Sequence, residues 1–250
     1  VIQTGGAKKW NNNVMSSSRM QRFTYTSEGL QQVDEGARVN MGEAESLYDF
    51  LEYAKTSFPA EKTGLLFWNH GGGSVAGAAF DEIYGYDSLN LNAMYAACGS
   101  ALGTDPDDPP LEFVGFDTCL MATIDVAATF SDIARYMVAS EEVEPGNGWL
   151  YSGWAQALAD DTSINGATLG KAICDSFVQG CRADGTADSI TLSVVDLTRL
   201  EPLLTAYEAF GSEALLSAAE NNRVITQLGK AASVSENYGG NTKTQGYTNM

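Results

Sequence analysis

Thr63-Gly64-Leu65-Leu66-Phe67-Trp68-Asn69-His70-Gly71-Gly72-Gly73 is the stretch that decides the fold of this 250-residue chain. Its first half, Thr63 to Trp68, is a continuous apolar run of strand length, the pattern of a strand buried on both faces of a parallel sheet. The run stops at Asn-His and three glycines, so the strand ends in a sharp turn that carries the only histidine of the chain. Leu111-Glu112-Phe113-Val114-Gly115-Phe116 repeats the pattern and stops at Asp117-Thr118-Cys119. Two strands of this kind, each ending in a chemically able side chain, predict an α/β fold with a site beyond the carboxyl ends of its strands.

The flanking sequence supplies the rest of such a sheet. Asn40 to Phe58 reads as a helix, with Ala44, Leu47, Leu51, Ala54 and Phe58 along one face and Pro59 closing it. Helices are also expected over Leu91–Leu102, Leu120–Phe130, Tyr151–Ala159, Ala167–Cys181 and Thr198–Ala219, the last opened by a Thr198-x-x-Glu201 capping box. Strands are expected over Tyr136–Ala139 and Ile190–Val195. Val1-Ile2-Gln3-Thr4-Gly5-Gly6 reads as the tail of a strand entering a turn, and Asn237 to Met250 ends without a cap or a charged tail. The chain is therefore expected to be a fragment continuing at both ends. With no repeat and no linker, residues 1–250 form one expected domain.

Composition narrows the chemistry. Fourteen Lys and Arg against thirty-two Asp and Glu give a formal charge of -18, which repels nucleic acid and anionic membranes and favours cationic ligands. The longest apolar runs fall far short of a membrane span. One histidine excludes multi-histidine metal sites, and no H-E-x-x-H, C-x-x-C or P-loop motif occurs. Cys98, Cys119, Cys174 and Cys181 are too few for a disulfide scaffold. Cys174 and Cys181, on one helical face about 10 Å apart, are too distant to bridge.

His70 and Cys119 form the leading pair. On neighbouring strands their side chains share one crevice, and a helix beginning after Cys119 is expected to favour its thiolate. The glycines after His70 free the Gly71 amide to donate to an oxyanion, which together sketches a Cys-His hydrolase. Two other motifs fail. Gly71-x-Gly73-x-x-Ala76 lacks the helix and the acidic strand end of a dinucleotide site, and Gly72-Gly73-Ser74-Val75-Ala76 breaks the nucleophile-elbow pattern at its last position.

Asn69-His70-Gly71, Gly115-Phe116-Asp117-Thr118-Cys119-Leu120-Met121, Ala139-Ser140-Glu141-Glu142 and Pro145-Gly146-x-Gly148-Trp149 together resemble the clostripain family of cysteine peptidases. The resemblance extends to Val1–Gly6 and to Asn40-Met41-Gly42. It implies the caspase-like three-layer α/β/α sandwich shared with caspases, gingipains and legumain, with a strand and helix expected before Val1. It implies a His70–Cys119 dyad, an oxyanion hole made by the Gly71 and Cys119 amides, and an S1 pocket in which Asp117 selects Arg or Lys. A buried carboxylate pairs bidentately with Arg and is left unpaired by a neutral side chain. The competing reading of Asp117 is a cap for the following helix. Ser140 and Glu142 are expected in the same pocket, with an exposed acidic turn as the alternative.

The resemblance further implies peptide or protein substrates, a monomer, and secretion or surface display in a bacterium. No cofactor is required; calcium is a possibility for which no D-x-[DN]-x-[DN]-G loop offers a site. Such enzymes often mature by cutting themselves after a basic residue between the histidine and the cysteine. No Lys or Arg occurs from Thr63 to Ala134, so this chain is expected to act unprocessed there or to be cut elsewhere. The same stretch holds ten acidic residues, read as a steering field for cationic substrates or as solvated loops. The competing functions are a catalytically silent acidic binding module on the same fold, capturing basic peptides, and a different Cys-His acyl transferase or amidase.

Overall fold

The computed structural model describes residues 1–234; the expectation for Asn237–Met250 lies outside them. In chain order the strands are β1 (Ile2–Thr4), β2 (Arg19–Thr26), β3 (Gly29–Ala37), β4 (Gly64–Trp68), β5 (Ala78–Asp81), β6 (Asp87–Leu89), β7 (Leu111–Asp117), β8 (Ala134–Ala139) and β9 (Ser193–Asp196). The helices are α1 (Ala44–Ser57), α2 (Gly73–Ala76), α3 (Leu91–Leu102), α4 (Ile124–Phe130), α5 (Tyr151–Asp160), α6 (Gly166–Asp184), α7 (Glu201–Glu220) and α8 (Arg223–Ala232).

The central sheet runs β4-β7-β8-β9, with β4, β7 and β8 parallel and β9 antiparallel to β8. Alternation along each strand divides its residues between two cores. Leu65, Phe67, Val114, Phe116, Met137 and Ala139 face a core closed by Leu47 and Leu51 of α1, Met94 and Cys98 of α3, and Val126 and Phe130 of α4. Phe113 and Val138 face the other, closed by Leu169, Ile173 and Phe177 of α6 and by Trp149. Helices thus cover both faces, which gives the three layers. Stacking of Phe67 on Phe116, at 5.1 Å between ring centroids, and edge contact of Phe116 with Phe130, at 5.6 Å, tie the β4–β7 pair to α4.

Local chemistry fixes where helices begin. Asn90 caps α3 by accepting from Ala93 N–H at 2.9 Å, and Asn165 caps α6 by accepting from Thr168 N–H at 2.8 Å. The expected capping box at Thr198 does not form. Asp196 instead takes both the Thr198 amide and its hydroxyl, ordering a short 3-10 turn over Leu197–Arg199, and α7 starts after it at Glu201. The helix expected from Asn40 starts at Ala44, because Asn40 turns the chain: it accepts from Gly42 N–H and donates to Asp87.

The hairpin β2–β3 was not legible as strands. With β1 it forms a separate antiparallel sheet. Its pairs are mostly polar, such as Arg19–Glu35 and Arg22–Asp34, and Phe23 is its one fully buried large apolar side chain. None of the described helices is long and apolar enough to cross a membrane.

Candidate active site

The β4–β7 ladder pairs Trp68 with Asp117, so His70 and Cys119 each lie two residues beyond a matched pair of strand ends. The approach of the two turns is close enough to require glycine. A β-carbon on Gly71 would stand 2.1 Å from the Cys119 carbonyl oxygen and 2.7 Å from Thr118 Oγ1. The turn after His70 folds back on itself through Gly72 N–H to the Gly77 carbonyl at 2.7 Å and Ala79 N–H to the His70 carbonyl at 3.1 Å. These bonds flank Gly71 and use neither its N–H nor its carbonyl. His70 itself is exposed, edge-on to Phe80 with ring centroids 6.4 Å apart. Asn69, at φ 128°, accepts from the His70 amide, which holds the histidine at the strand exit.

Cys119 is half-buried, and its surroundings correct one expectation. The segment after it is not yet helical: Leu120 N–H bonds the Glu142 carbonyl at 3.1 Å and Ala122 N–H bonds the Ser140 carbonyl at 2.9 Å. Helix α4 opens only at Ile124, capped by Thr123, so its dipole does not reach the sulfur. Asp117 is therefore not that helix's cap. Burial pushes the Cys119 thiol up; the Glu144 N–H, donating to Sγ at 3.3 Å, opposes this, and the Glu144 and Glu142 charges add to it.

Asp117 is buried and its carboxylate is surrounded by polar partners. Its Oδ1 accepts from the Trp149 amide at 3.2 Å, and its Oδ2 accepts from the Tyr151 hydroxyl at 2.8 Å. Gly148, at φ +63°, brings the chain so close that a β-carbon would stand 3.2 Å from Asp117 Oδ1. A second carboxyl, Glu144, shares the site and takes the Trp149 indole N–H at 3.3 Å. Burial, and then the charge of Asp117, raises Glu144 to about 9; burial also raises Asp117. Two buried carboxyls in contact disfavour simultaneous ionisation, and both are pushed in that direction here.

Ser140 and Glu142 are buried, at 0% and 6% exposure, so the exposed-turn alternative does not apply. The Ser140 hydroxyl engages Thr191 and the Glu142 backbone, and Glu142 Oε1 takes the Val143 amide. Both residues brace the segment after Cys119 through their carbonyls. Glu144 and Tyr151 escaped the sequence reading: Glu144 lies in an acidic Pro-Gly turn that reads as solvated surface, and Tyr151 opens a helix. Among the described residues no group of three or more His, Cys, Asp or Glu is arranged to hold a metal ion, and Cys98, Cys119, Cys174 and Cys181 are all free thiols.

A sequence model of the clostripain family matches residues 10–248. The chain belongs to the clostripain family. It is similar to the clostripain of Hathewaya histolytica, 26% identical over 200 residues, which are 68% of this chain and 38% of that protein. Its fold matches a secreted C11 cysteine protease from Bacteroides thetaiotaomicron, solved with an irreversible peptide inhibitor, at a TM-score of 0.63 and 19% identity, covering 77% of this chain and 57% of that one. An inactive zymogen C11 protease from Parabacteroides distasonis matches at a TM-score of 0.51 and 21% identity, over 74% and 49%. The architecture is thus the caspase-like α/β fold of the clostripain family. The chain spans well under two thirds of the length of these relatives.

Proposed function

We propose that this clostripain-family chain is the core of a cysteine endopeptidase that cleaves after Arg or Lys, using His70 and Cys119 as its dyad. The observation that carries the reading is the matched register of β4 and β7, together with the fit of Gly71 against Cys119. On binding substrate, the Cys119 thiol gives its proton to His70 and Sγ attacks the scissile carbonyl. The oxyanion accepts from the Gly71 and Cys119 amides. His70 then protonates the leaving amine, and water releases the acyl group by the reverse sequence. Burial around Cys119 disfavours the thiolate until substrate binds and orients the imidazole.

The basic preference follows from Asp117 at the floor of the pocket, where a cationic P1 side chain compensates a buried carboxylate. Trp149 and Tyr151 already hold that carboxylate in place. Ser140 and Glu142 are assigned the role of supporting the pocket wall. The chemistry draws on protein groups alone, so no step of it calls for a cofactor. Secretion, a property of the Bacteroides relative, is extended to this chain as part of the same proposal. A silent binding module would have no use for Gly71 pressed against the main chain of Cys119.

The test is hydrolysis of fluorogenic peptides bearing Arg, Lys, Asp or Leu at P1 by the wild type, Cys119→Ala and Asp117→Asn, each checked for folding by circular dichroism. Cleavage confined to Arg and Lys, abolished in Cys119→Ala and stripped of its basic preference in Asp117→Asn, is the expected result. A folded wild type that cleaves none of the four peptides overturns it.

A further inference from the structure

Residues 143–148 form a strap between two buried anchors, Glu142 at 6% exposure and Trp149 at 3%. Val143 in the strap is exposed and Gly146 has open space around it, while the end at Gly148 is closed by its N–H on the Pro145 carbonyl at 3.1 Å. Glu144, in its middle, touches both halves of the candidate site. Its main chain lies on the nucleophile, with N–H donating to Cys119 Sγ at 3.3 Å and its carbonyl 4.0 Å from the same sulfur. Its side chain takes the Trp149 indole N–H through Oε1, while Oε2 is buried without a donor to meet it. The carboxyl stands against Asp117, which the Trp149 amide and Tyr151 hold fixed.

We propose that Glu144 is a latch joining the P1 pocket to the nucleophile: with the pocket empty its main chain holds Cys119 Sγ, and a cationic side chain that draws the Glu144 carboxyl away from Asp117 releases the sulfur. The inference rests on the basic-P1 reading above. Two carboxyls facing each other are compatible only while a proton lies between them. A guanidinium entering the pocket replaces that proton, pairs with both groups and needs them apart. Asp117 is the fixed partner, so Glu144 moves, and its amide, one residue of a short strap, moves with it. The sulfur is freed only when a cation of the right kind is already seated, so the pocket that selects substrate also arms the nucleophile.

The experiment measures alkylation of Cys119 by iodoacetamide, followed by peptide mass spectrometry. It is run with and without n-butylguanidine, the arginine side chain without its backbone, whose binding is measured separately by calorimetry. Wild type is expected to react slowly alone and several-fold faster at saturating n-butylguanidine. Glu144→Ala and Glu144→Ser, lacking the anchor, react fast in both conditions. Glu144→Gln reacts slowly in both, because an amide keeps the Trp149 bond and donates to Asp117 without ionising. Binding that leaves wild-type alkylation unchanged or protects the sulfur overturns the latch, as does a wild-type rate in folded Glu144→Ala and Glu144→Ser. Absence of any heat of binding instead removes the basic pocket, and the two truncated variants still decide whether Glu144 holds the sulfur.

Discussion

A β-carbon placed on Gly71 would stand 2.1 Å from the carbonyl oxygen of Cys119. The backbone beyond the histidine is thus fitted against the backbone of the cysteine, with no side chain between them. This contact, more than the sequence distance between the two residues, brings the two turns together.

Gly71→Ala must push the two turns apart. Overpacking of this kind costs about 1–3 kcal/mol of stability, whereas displacement of reacting groups by an ångström costs on the order of 100-fold in rate. The expected variant is folded, loses a few degrees in Tm, and falls about 100-fold in kcat/KM on an Arg-P1 peptide. Thermal unfolding and steady-state kinetics on one preparation check both halves.

Glu144 gives stability a pH dependence whose sign is fixed. Its proton is held up to about pH 9 in the folded chain, against an ordinary value of 4.5. Between those values the folded state binds more protons than the unfolded one, so stability falls as pH rises, and Asp117, also raised, acts in the same direction. One proton contributes a slope of at most about 1.4 kcal/mol per pH unit. Glu144→Gln is expected to flatten the decline, read as urea midpoints from pH 5 to about 9.

Legibility followed burial. The runs ending at Trp68 and Phe116 announced themselves because β7 is buried almost throughout and β4 buries Leu65 and Phe67, although Trp68 is 53% exposed at the sheet edge. The β2–β3 hairpin did not, since its stability lies in backbone pairing and exposed ion pairs such as Arg19–Glu35, which leave no apolar rhythm. His70, Cys119 and Asp117 were readable as strand-end residues. Glu144 was hidden because Glu141-Glu142-Val143-Glu144-Pro145-Gly146 has the composition of a surface turn; only the packing of Trp149 buries its carboxyl. The start of α4 was misjudged because Leu120 and Met121 look helical, whereas Thr123, a ready cap, marks where the backbone turns.

Phe116 joins two rings, Phe67 and Phe130, and is fully buried. Phe116→Ala removes the centre of that cluster one residue before Asp117. Loss of about 3–5 kcal/mol is expected from the missing ring and the cavity it leaves. Denaturant unfolding measures the loss, with Leu203→Ala, at an exposed position of α7, as the control expected to change little.

Ten carboxylates and no Lys or Arg lie between Thr63 and Ala134, and a steering field from them would show itself as salt dependence of encounter. For an Arg-P1 peptide carrying further positive charge, kcat/KM is expected to fall several-fold as salt rises through the range where the screening length drops to about 10 Å. The same peptide made net neutral should be nearly indifferent. Equal salt dependence for both would show that the field plays no part in encounter.

The matched ends of β4 and β7 also decouple the placement of His70 and Cys119 from the chain that joins them. Position is handed from one strand to the other across the backbone ladder, pair by pair from Gly64–Phe113 to Trp68–Asp117. The exposed Asp105–Pro106–Asp107–Asp108 turn lies outside that ladder. Cutting the polypeptide there would leave the histidine on one piece and the cysteine on the other, zipped together within a single sheet, so the loop is the natural place to split the protein into two complementing halves.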